Sequence, residues 1–296
     1  MDKPAEQYLV FNGNYLLQSN AVIKSDNRAF LYGDGLFESF RVIKKKAWDI
    51  DVHFNRLFYG LEKLKIETAS YFNVERIVQH IDQLIEKNDI YSDARVRLAV
   101  FRNPGLGYTP EDNQLSYLLT VENTPGEGFS LNPQGLAVDT YHDFKKQINA
   151  LSGLKLINSQ LYVLSGIDAR ERGLDESLIL NEKGNIVEST SSNIFTVSGN
   201  VIYTPALNEG CVAGTMRMHV INAAIDLGFK VFECGLTHQR LMNADEVFLT
   251  NGVKGIQWVN RYKSKRYFHK VADQLLEALN QQVEERISLE KDPQES

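Results

Sequence analysis

A glycine- and proline-rich segment, NTPGEGFSLNPQG at residues 123–135, is the feature that most constrains how this chain can fold. Two prolines and three glycines in thirteen residues break helices and strands, and this composition is typical of a linker between domains. The flanking residues 1–122 and 136–296 are each long enough to bury a core. We therefore predict a small N-terminal domain, a linker and a larger C-terminal domain.

The first part of the chain carries alternating signals for strands and helices. QYLVFNGNYLLQ places two apolar runs around Asn12-Gly13, which predicts a β-hairpin, and RVRLAVFR and LSYLLTVE are typical of strands. The run FLYGDGLFESFRVI is also strand-like, although glycines interrupt it. HFNRLFYGLEKLKI repeats its apolar residues at helical spacing, and a second helix is expected near Val74–Lys87.

The second part mixes short strands with helices. The stretch LKLINSQLYVLSGIDARERG, residues 154–173, predicts a helix with Lys155 at its start and Gly173 just past its end. A further helix is expected from Gly214 to Gly228, and an amphipathic helix near the C-terminus. Because strands and helices do not alternate as regular βαβ units, we predict α+β architecture.

The composition excludes several classes of protein. The chain has 296 residues and a formal net charge of -6 with no basic stripe, so nucleic acid is not an expected partner. Its two cysteines, Cys211 and Cys234, cannot make a disulfide framework or a four-thiolate zinc site, and no metal is predicted. No apolar run is long enough to span a membrane and the N-terminus lacks a signal pattern, so we expect a cytoplasmic protein.

Two ionisable residues are candidates for chemistry. Lys155 is either a surface charge or a nucleophile, since a lysine among apolar neighbours loses its proton more readily and can then form a Schiff base. Glu188 lies where a strand meets a Ser/Thr/Asn-rich turn, and it is either an exposed strand end or a carboxylate facing a ring nitrogen. The hydroxyl groups between Ser189 and Ser192 could bind a phosphate or a carboxylate.

Two further features fit phosphate binding. Gly214 precedes a helix, so the backbone N–H groups of Thr215 and Met216 would meet an anion at the helix N-terminus; the alternative is an ordinary helix start. Arg56 in HFNRL falls at the edge of an apolar helix face, where it is either a surface arginine or a phosphate clamp. The neighbouring His53 is expected to be structural.

These features together resemble one family. YGDGLFESFR, HFNRL, Lys155 followed by Asn158, ESTSSNIF, GTMR and FLTNGV occur in the order and approximate spacing of the class IV aminotransferases, which are fold type IV pyridoxal-phosphate enzymes. The resemblance covers nearly the whole chain, and the ordered combination is specific although each motif is loose. The family includes branched-chain aminotransferases, D-amino-acid aminotransferases and aminodeoxychorismate lyases.

The resemblance implies a site and a cofactor, pyridoxal 5′-phosphate. Lys155 is similar to the lysine that carries the cofactor and moves the substrate Cα proton, and Glu188 to the carboxylate that faces the pyridine nitrogen. The residues implied to bind the cofactor are Arg56, Lys155, Glu188, Ser192, Asn193, Gly214, Thr215, Met216 and Asn251. A small α/β domain, a larger pseudo-barrel domain, an active site between them and a homodimer are also implied.

The sequence departs from the family pattern at several positions. Ser159 and Gln160 follow where many branched-chain enzymes carry a tyrosine, and Met216 replaces a threonine at the helix start. Gly252 stands where a phosphate hydroxyl is common, as in the lyases, yet Leu106 stands where lyase relatives carry an arginine. The D-amino-acid enzymes carry an Arg/His pair near Arg102, and no histidine follows here.

These comparisons leave two activities open. The first is an aminotransferase that acts on small, branched-chain-like amino acids with 2-oxoglutarate, and the alternative is an aminodeoxychorismate lyase that releases pyruvate and 4-aminobenzoate. A cofactor-binding protein without turnover is a third hypothesis, which retention of Lys155 and Glu188 disfavours. A dinucleotide-binding reading of GDGLFES fails because the third glycine and the βαβ unit are absent. The candidate substrate contacts are Phe37, Arg41, Arg102 and Tyr108.

Overall fold

The computed structural model describes residues 6–124 and 126–289, and it divides into two compact units. The first unit runs to Gly128 and also takes in Leu154–Asn158. The second comprises Phe129–Gly153 and continues from Ser159. The boundary after Gly128 falls inside the segment predicted as a linker. The return of Leu154–Asn158 to the first unit was not predicted, because nothing in the local sequence indicates which sheet that segment joins.

The first unit is an antiparallel sheet with two long helices. Its elements are β1 (Tyr8–Phe11), β2 (Asn14–Leu17), α1 (Arg28–Tyr32), β3 (Gly35–Ile43), β4 (Lys46–Ala47), α2 (Ile50–Lys63), α3 (Val74–Lys87), β5 (Ala94–Arg102) and β6 (Leu115–Asn123). The strand order is β2-β1-β6-β5-β3-β4. The apolar faces of α2 and α3 pack against the sheet in one core, so the helical spacing read from the sequence is confirmed.

Local sequence explains two turns of this unit. The predicted hairpin is confirmed: Asn12 and Gly13 have φ values of 48° and 82°, the left-handed pair that a tight two-residue turn requires. The prediction of a strand at Phe30–Tyr32 was wrong. Those residues form α1, because the Asn27 side chain accepts a hydrogen bond from the backbone N–H of Phe30 and Gly33 ends the helix with a φ of 64°.

The second unit is built on a larger mixed sheet. Its elements are β7 (Leu136–Thr140), α4 (Gln160–Glu171), β8 (Glu176–Leu180), β9 (Ile186–Ser189), β10 (Asn193–Ser198), β11 (Val201–Pro205), α5 (Thr215–Asp226), β12 (Lys230–Cys234), α6 (His238–Asn243), β13 (Glu246–Asn251), β14 (Gly255–Tyr262), β15 (Lys265–Arg266) and α7 (Lys270–Leu289). The strand order is β12-β11-β10-β13-β14-β7-β8-β9, and β15 pairs with β14.

The strands β8, β9 and β10 are buried along nearly their whole length, so polar side chains on them lie inside the unit rather than in solvent. The predicted helix after Gly214 is confirmed as α5, and Gly173 follows α4 with a φ of 64°, as predicted for a residue just past a helix end. Among the described residues, no helix combines the length and apolar character needed to cross a membrane.

Candidate active-site residues

Lys155 lies on an extended segment of the first unit and not at a helix start. The backbone of this segment pairs with β3: the N–H of Phe37 donates to the carbonyl of Lys155 at 2.9 Å, and Leu156 bridges Leu36. The prediction of a helix beginning at Lys155 was therefore wrong, because α4 begins only at Gln160. Pairing with β3 fixes the direction of the Lys155 backbone.

The amine of Lys155 shares an aromatic ring with a guanidinium group. The Nζ atom of Lys155 lies 4.3 Å from the centre of the Phe37 ring, and the Cζ atom of Arg97 lies 4.0 Å from the same centre. Strand register explains this contact, since Arg97 pairs with Ser39 and therefore projects to the same face as Phe37. The sequence predicted Phe37 and missed Arg97, because alternation within RVRLAVFR gives a side-chain face but not the partner strand.

Arg56 is held by a buried glutamate on β3. Its Nε donates to Glu38 Oε1 at 2.8 Å and its Nη2 donates to Glu38 Oε2, while Nδ1 of His53 lies 2.7 Å from Oε2. Burial alone would raise the pKa of Glu38, but the charge of Arg56 and the hydrogen bonds from His53 and Arg56 lower it to about 2. Glu38 is therefore ionised, and His53, which was expected to be structural, is buried against it.

Two other predicted arginines of the first unit lie in internal ion pairs. Arg41 is buried and binds Asp93 at 3.0 Å, and it also donates to the carbonyl of Gly128. Arg102 is buried as well and binds Asp34 at 3.0 Å. These contacts give both guanidinium groups internal partners.

Tyr108 is the most exposed of the predicted substrate contacts. Its side chain is 91% exposed, and its ring lies 5.6 Å from that of Tyr32, centre to centre. Leu106 in the same loop is also exposed. The loop is anchored to α1, because the backbone N–H of Gly107 donates to the Tyr32 hydroxyl at 2.8 Å and Arg28 donates to the Gly107 carbonyl at 2.8 Å.

Glu188 is buried in the second unit, where it accepts hydrogen bonds from three groups. Lys146 Nζ lies 2.5 Å from Oε1, the Tyr162 hydroxyl donates to Oε1 at 2.7 Å, and the backbone N–H of Val212 donates to Oε2 at 2.8 Å. The alternative of an exposed strand-end glutamate is thereby excluded, since Glu188 is only 2% exposed. The sequence missed Lys146 and Tyr162, because both lie far from Glu188 along the chain.

A second group of predicted residues meets around the start of α5. The amide of Asn193 donates to the carbonyl of Val212 at 2.9 Å, and Asn251 donates to the Ser192 hydroxyl at 2.9 Å. Gly214 is the N-cap of α5, and a Cβ added there would lie 2.0 Å from Oδ1 of Asn193. A side chain at this position would therefore require the Asn193 amide to move.

The first turn of α5 contributes backbone rather than exposed side chains. Thr215 and Met216 are both buried, and they open the helix directly after Gly214. Across the β10–β13 pair, Thr250 lies opposite Asn193, and its hydroxyl has no hydrogen-bond partner within residues 6–124 and 126–289. Thr250 was not predicted, because a threonine in a buried strand is most often a packing residue.

Comparison with known proteins identifies the family. The sequence model of one protein family, amino-transferase class IV, matches residues 35–262. The chain therefore belongs to this family of pyridoxal-phosphate enzymes, whose members act on small amino-acid substrates. The chain is 30% identical over 250 residues to the aminodeoxychorismate lyase of Bacillus subtilis, a match that covers 82% of each chain. It is 29% identical over 251 residues to a Methanocaldococcus jannaschii protein provisionally described as a branched-chain-amino-acid aminotransferase, covering 82% and 83%.

Solved structures confirm the fold. The branched-chain aminotransferase of Thermoproteus uzoniensis, crystallised with norvaline, superimposes with a TM-score of 0.84 at 21% identity, over 93% of this chain and 94% of that one. At this identity the match shows the fold and does not choose between activities. The predicted fold type IV architecture is thus confirmed.

The residues present fit pyridoxal phosphate in two respects. Gly214 begins α5 without a side-chain cap and lies against the Asn193 amide, and the backbone N–H groups of such a helix start suit a phosphate. Glu188 is a buried carboxylate with both oxygens already oriented by donors, and a carboxylate is the group that keeps a pyridine nitrogen protonated.

Proposed function

We propose that this chain is a pyridoxal-phosphate-dependent aminotransferase that moves an amino group between a small amino acid and 2-oxoglutarate. The observation that supports the proposal is that the Lys155 amine and the Arg97 guanidinium both contact the Phe37 ring. An aminotransferase must accept an apolar side chain and a dicarboxylate in turn. An aromatic ring suits the first substrate, and a guanidinium group pairs with the carboxylate of the second.

The proposed roles follow the chemistry of each side chain. Lys155 would hold the cofactor, and after substrate binding its amine would take the Cα proton. Glu188 would bind the ring nitrogen. The remaining proposed cofactor contacts are Arg56, Ser192, Asn193, Gly214, Thr215, Met216 and Asn251. The bound cofactor supplies an electron sink for the charge that develops at Cα.

Substrate contacts in this proposal are ranked by the geometry of the first unit. Phe37 and Arg97 contact the substrate, since they lie around the Lys155 amine. The exposed Tyr108 is a candidate at the loop. Arg41 and Arg102 were also predicted as substrate contacts, but their ion pairs with Asp93 and Asp34 favour a structural role for both. A homodimer remains a prediction, which sedimentation of the purified chain would test.

An aminodeoxychorismate lyase is the second candidate, supported by the similarity to the Bacillus subtilis enzyme over most of both chains. Both reactions begin with removal of the Cα proton, so Lys155 and Glu188 would have the same roles in each. They would differ afterwards: in transamination Lys155 would return the proton on the side of the bound cofactor, whereas in the lyase reaction the leaving group would depart as pyruvate and leave 4-aminobenzoate. Leu106, in place of an arginine, leaves the lyase substrate without one positive contact.

The absorption spectrum of the purified chain separates the two reactions. Single amino acids are added to the cofactor-loaded protein with no keto acid present. An aminotransferase converts the visible band of the lysine-bound cofactor to the pyridoxamine form with leucine, valine or glutamate. A band that persists with every amino acid, together with pyruvate release from aminodeoxychorismate, contradicts transamination and supports the lyase. Neither change with any substrate would support cofactor binding without turnover.

Lys155→Ala tests the cofactor assignment directly. We expect loss of the visible band and a fall in turnover of at least about 100-fold, because the general base is removed. Lys63→Ala is the matched control, since Lys63 is an exposed lysine of the same unit, at the end of α2. A yellow, active Lys155→Ala protein would contradict the assignment.

A further inference from the structure

The second unit collects three supporting groups around Glu188 that no sequence motif identifies. Lys146 follows β7, and its backbone N–H donates to the carbonyl of Leu180 at 2.8 Å, which fixes it beside β8. Tyr162 lies in the first turn of α4. Val212 precedes α5. Since β8 is also the strand that pairs with β9, both Lys146 and Glu188 are held by the same strand.

The hydrogen bonds in this cluster define where each proton lies. Lys146 donates to the Tyr162 hydroxyl at 2.8 Å as well as to Glu188. Tyr162 has one proton, and it donates this proton to Glu188. Burial, and then the negative charge of Glu188, raise the pKa of Tyr162 well above its ordinary value, so its phenol stays protonated. The consistent assignment is therefore an ammonium, a phenol and a carboxylate.

The carboxylate of Glu188 can accept a hydrogen bond from one more donor. A carboxylate offers about four acceptor positions, and Lys146, Tyr162 and the Val212 backbone occupy three of them. The nearby Cys211 adds no charge, because burial raises the pKa of its thiol to about 11. Glu188 can thus accept a further hydrogen bond through Oε2, while Oε1 is turned toward a cation and a phenol.

We infer that Lys146 and Tyr162 are positioning residues that bind Oε1 of Glu188 and so direct its other oxygen, Oε2, to the cofactor's ring nitrogen. This inference rests on the proposed function. A cation and a hydroxyl donor on Oε1 fix the direction of the carboxylate, so the ring nitrogen would meet a charged acceptor for its proton. A ring nitrogen that keeps its proton is the more effective electron sink.

The first test uses the full chain without added cofactor. Infrared difference spectra at neutral pH are compared for Lys146→Met, Tyr162→Phe and the control Lys145→Met, which removes an exposed neighbouring lysine. Loss of the Lys146 donor should change the hydrogen bonding of the Glu188 carboxylate, so its antisymmetric carboxylate stretch should shift. The shifted carboxylate band must be absent when Glu188→Gln is added to Lys146→Met. Lys145→Met should match the unchanged chain.

The second test uses protein loaded with pyridoxal phosphate labelled with ¹⁵N in the ring. In Lys146→Met the ring resonance should move toward the value of an unprotonated pyridine nitrogen, and Tyr162→Phe should give a smaller shift in the same direction. Lys146→Arg should restore the original resonance, because it returns the charge. A residue that only supports the fold would leave this resonance unchanged.

The two tests separate failure of the inference from failure of the proposed function. If the unchanged chain does not bind pyridoxal phosphate, the proposed function fails, while the infrared comparison still tests the cluster. If it binds the cofactor and Lys146→Met alters neither the infrared band nor the ring resonance, the inference is overturned. Should Lys146→Met fail to fold, Tyr162→Phe removes only one oxygen atom and decides the same point.

Discussion

Each unit buries a glutamate beside a cation, but the two ion pairs have opposite arrangements. In the first unit Glu38 binds Arg56, and the proposed cofactor contact is the cation. In the second unit Lys146 binds Glu188, and the proposed contact is the carboxylate. In both cases the other member of the pair fixes the direction of the contacting group. The planar guanidinium of Arg56 suits a phosphate, whereas a carboxylate suits a protonated ring.

The largest expected effect is on turnover. Glu188→Gln should keep the cofactor bound but slow removal of the Cα proton by about 100- to 1,000-fold, because the group that stabilises the charged ring is lost. Glu38→Gln should change turnover at saturating cofactor by only about threefold, since Glu38 acts through Arg56. Single-turnover rates with a Cα-deuterated amino acid would measure the difference. Equal losses in the two variants would remove the distinction between the ion pairs.

Sequence patterns could identify the contacting member of each pair but not its support. Arg56 and Glu188 lie in short motifs, HFNRL and ESTSSNIF, whose local spacing the family resemblance captures. Lys146 is 42 residues from Glu188, and the two meet only because the chain after β7 returns along β8. His53 and Arg56 are close in the chain, yet their shared partner Glu38 comes from β3. Such contacts depend on strand pairing, which composition and periodicity do not specify.

Strand pairing that the sequence does not specify also explains why the helix predicted to begin at Lys155 was wrong. Its neighbours Leu156, Ile157 and Leu161 follow a helical pattern, and helix prediction from this pattern is reasonable. The extended conformation is imposed by the backbone of β3, since the N–H of Ile157 donates to the carbonyl of Gly35 at 3.0 Å. A tertiary contact therefore overrides local periodicity at the residue proposed to carry the chemistry, whereas the hairpin at Asn12-Gly13 follows from local sequence alone.

The next effect is on stability, and it depends on pH. The folded pKa of Glu38 is about 2, below its ordinary value of 4.5, so the ionised Glu38 stabilises the fold above about pH 4.5. This contribution is lost as the pH falls from about 4.5 to about 2. Glu38→Gln should therefore destabilise the chain by about 3 kcal/mol at pH 7, and the difference should shrink toward zero near pH 2.

Urea unfolding at a series of pH values would measure this difference. The matched control is Glu62→Gln, because Glu62 is an exposed glutamate on the same helix as Arg56. A stability difference for Glu38→Gln that stays constant from pH 7 to pH 3 would mean that shape, rather than charge, makes Glu38 important for the first unit.

The smallest expected effect distinguishes geometry from charge in the first ion pair. Arg56→Lys keeps the positive charge but replaces the planar fork with a single ammonium group, which cannot bind both oxygens of Glu38 in parallel while also meeting a phosphate. We expect about tenfold weaker binding of pyridoxal phosphate, equivalent to the loss of one hydrogen bond to a charged group. Calorimetric titration would measure it, with the exposed Arg76→Lys as control. If Arg56→Lys binds the cofactor as tightly as the unchanged chain, charge alone suffices at this position. In that case the first ion pair would need only a positive charge at residue 56, just as the inferred role of Lys146 in the second ion pair can be filled by another cation.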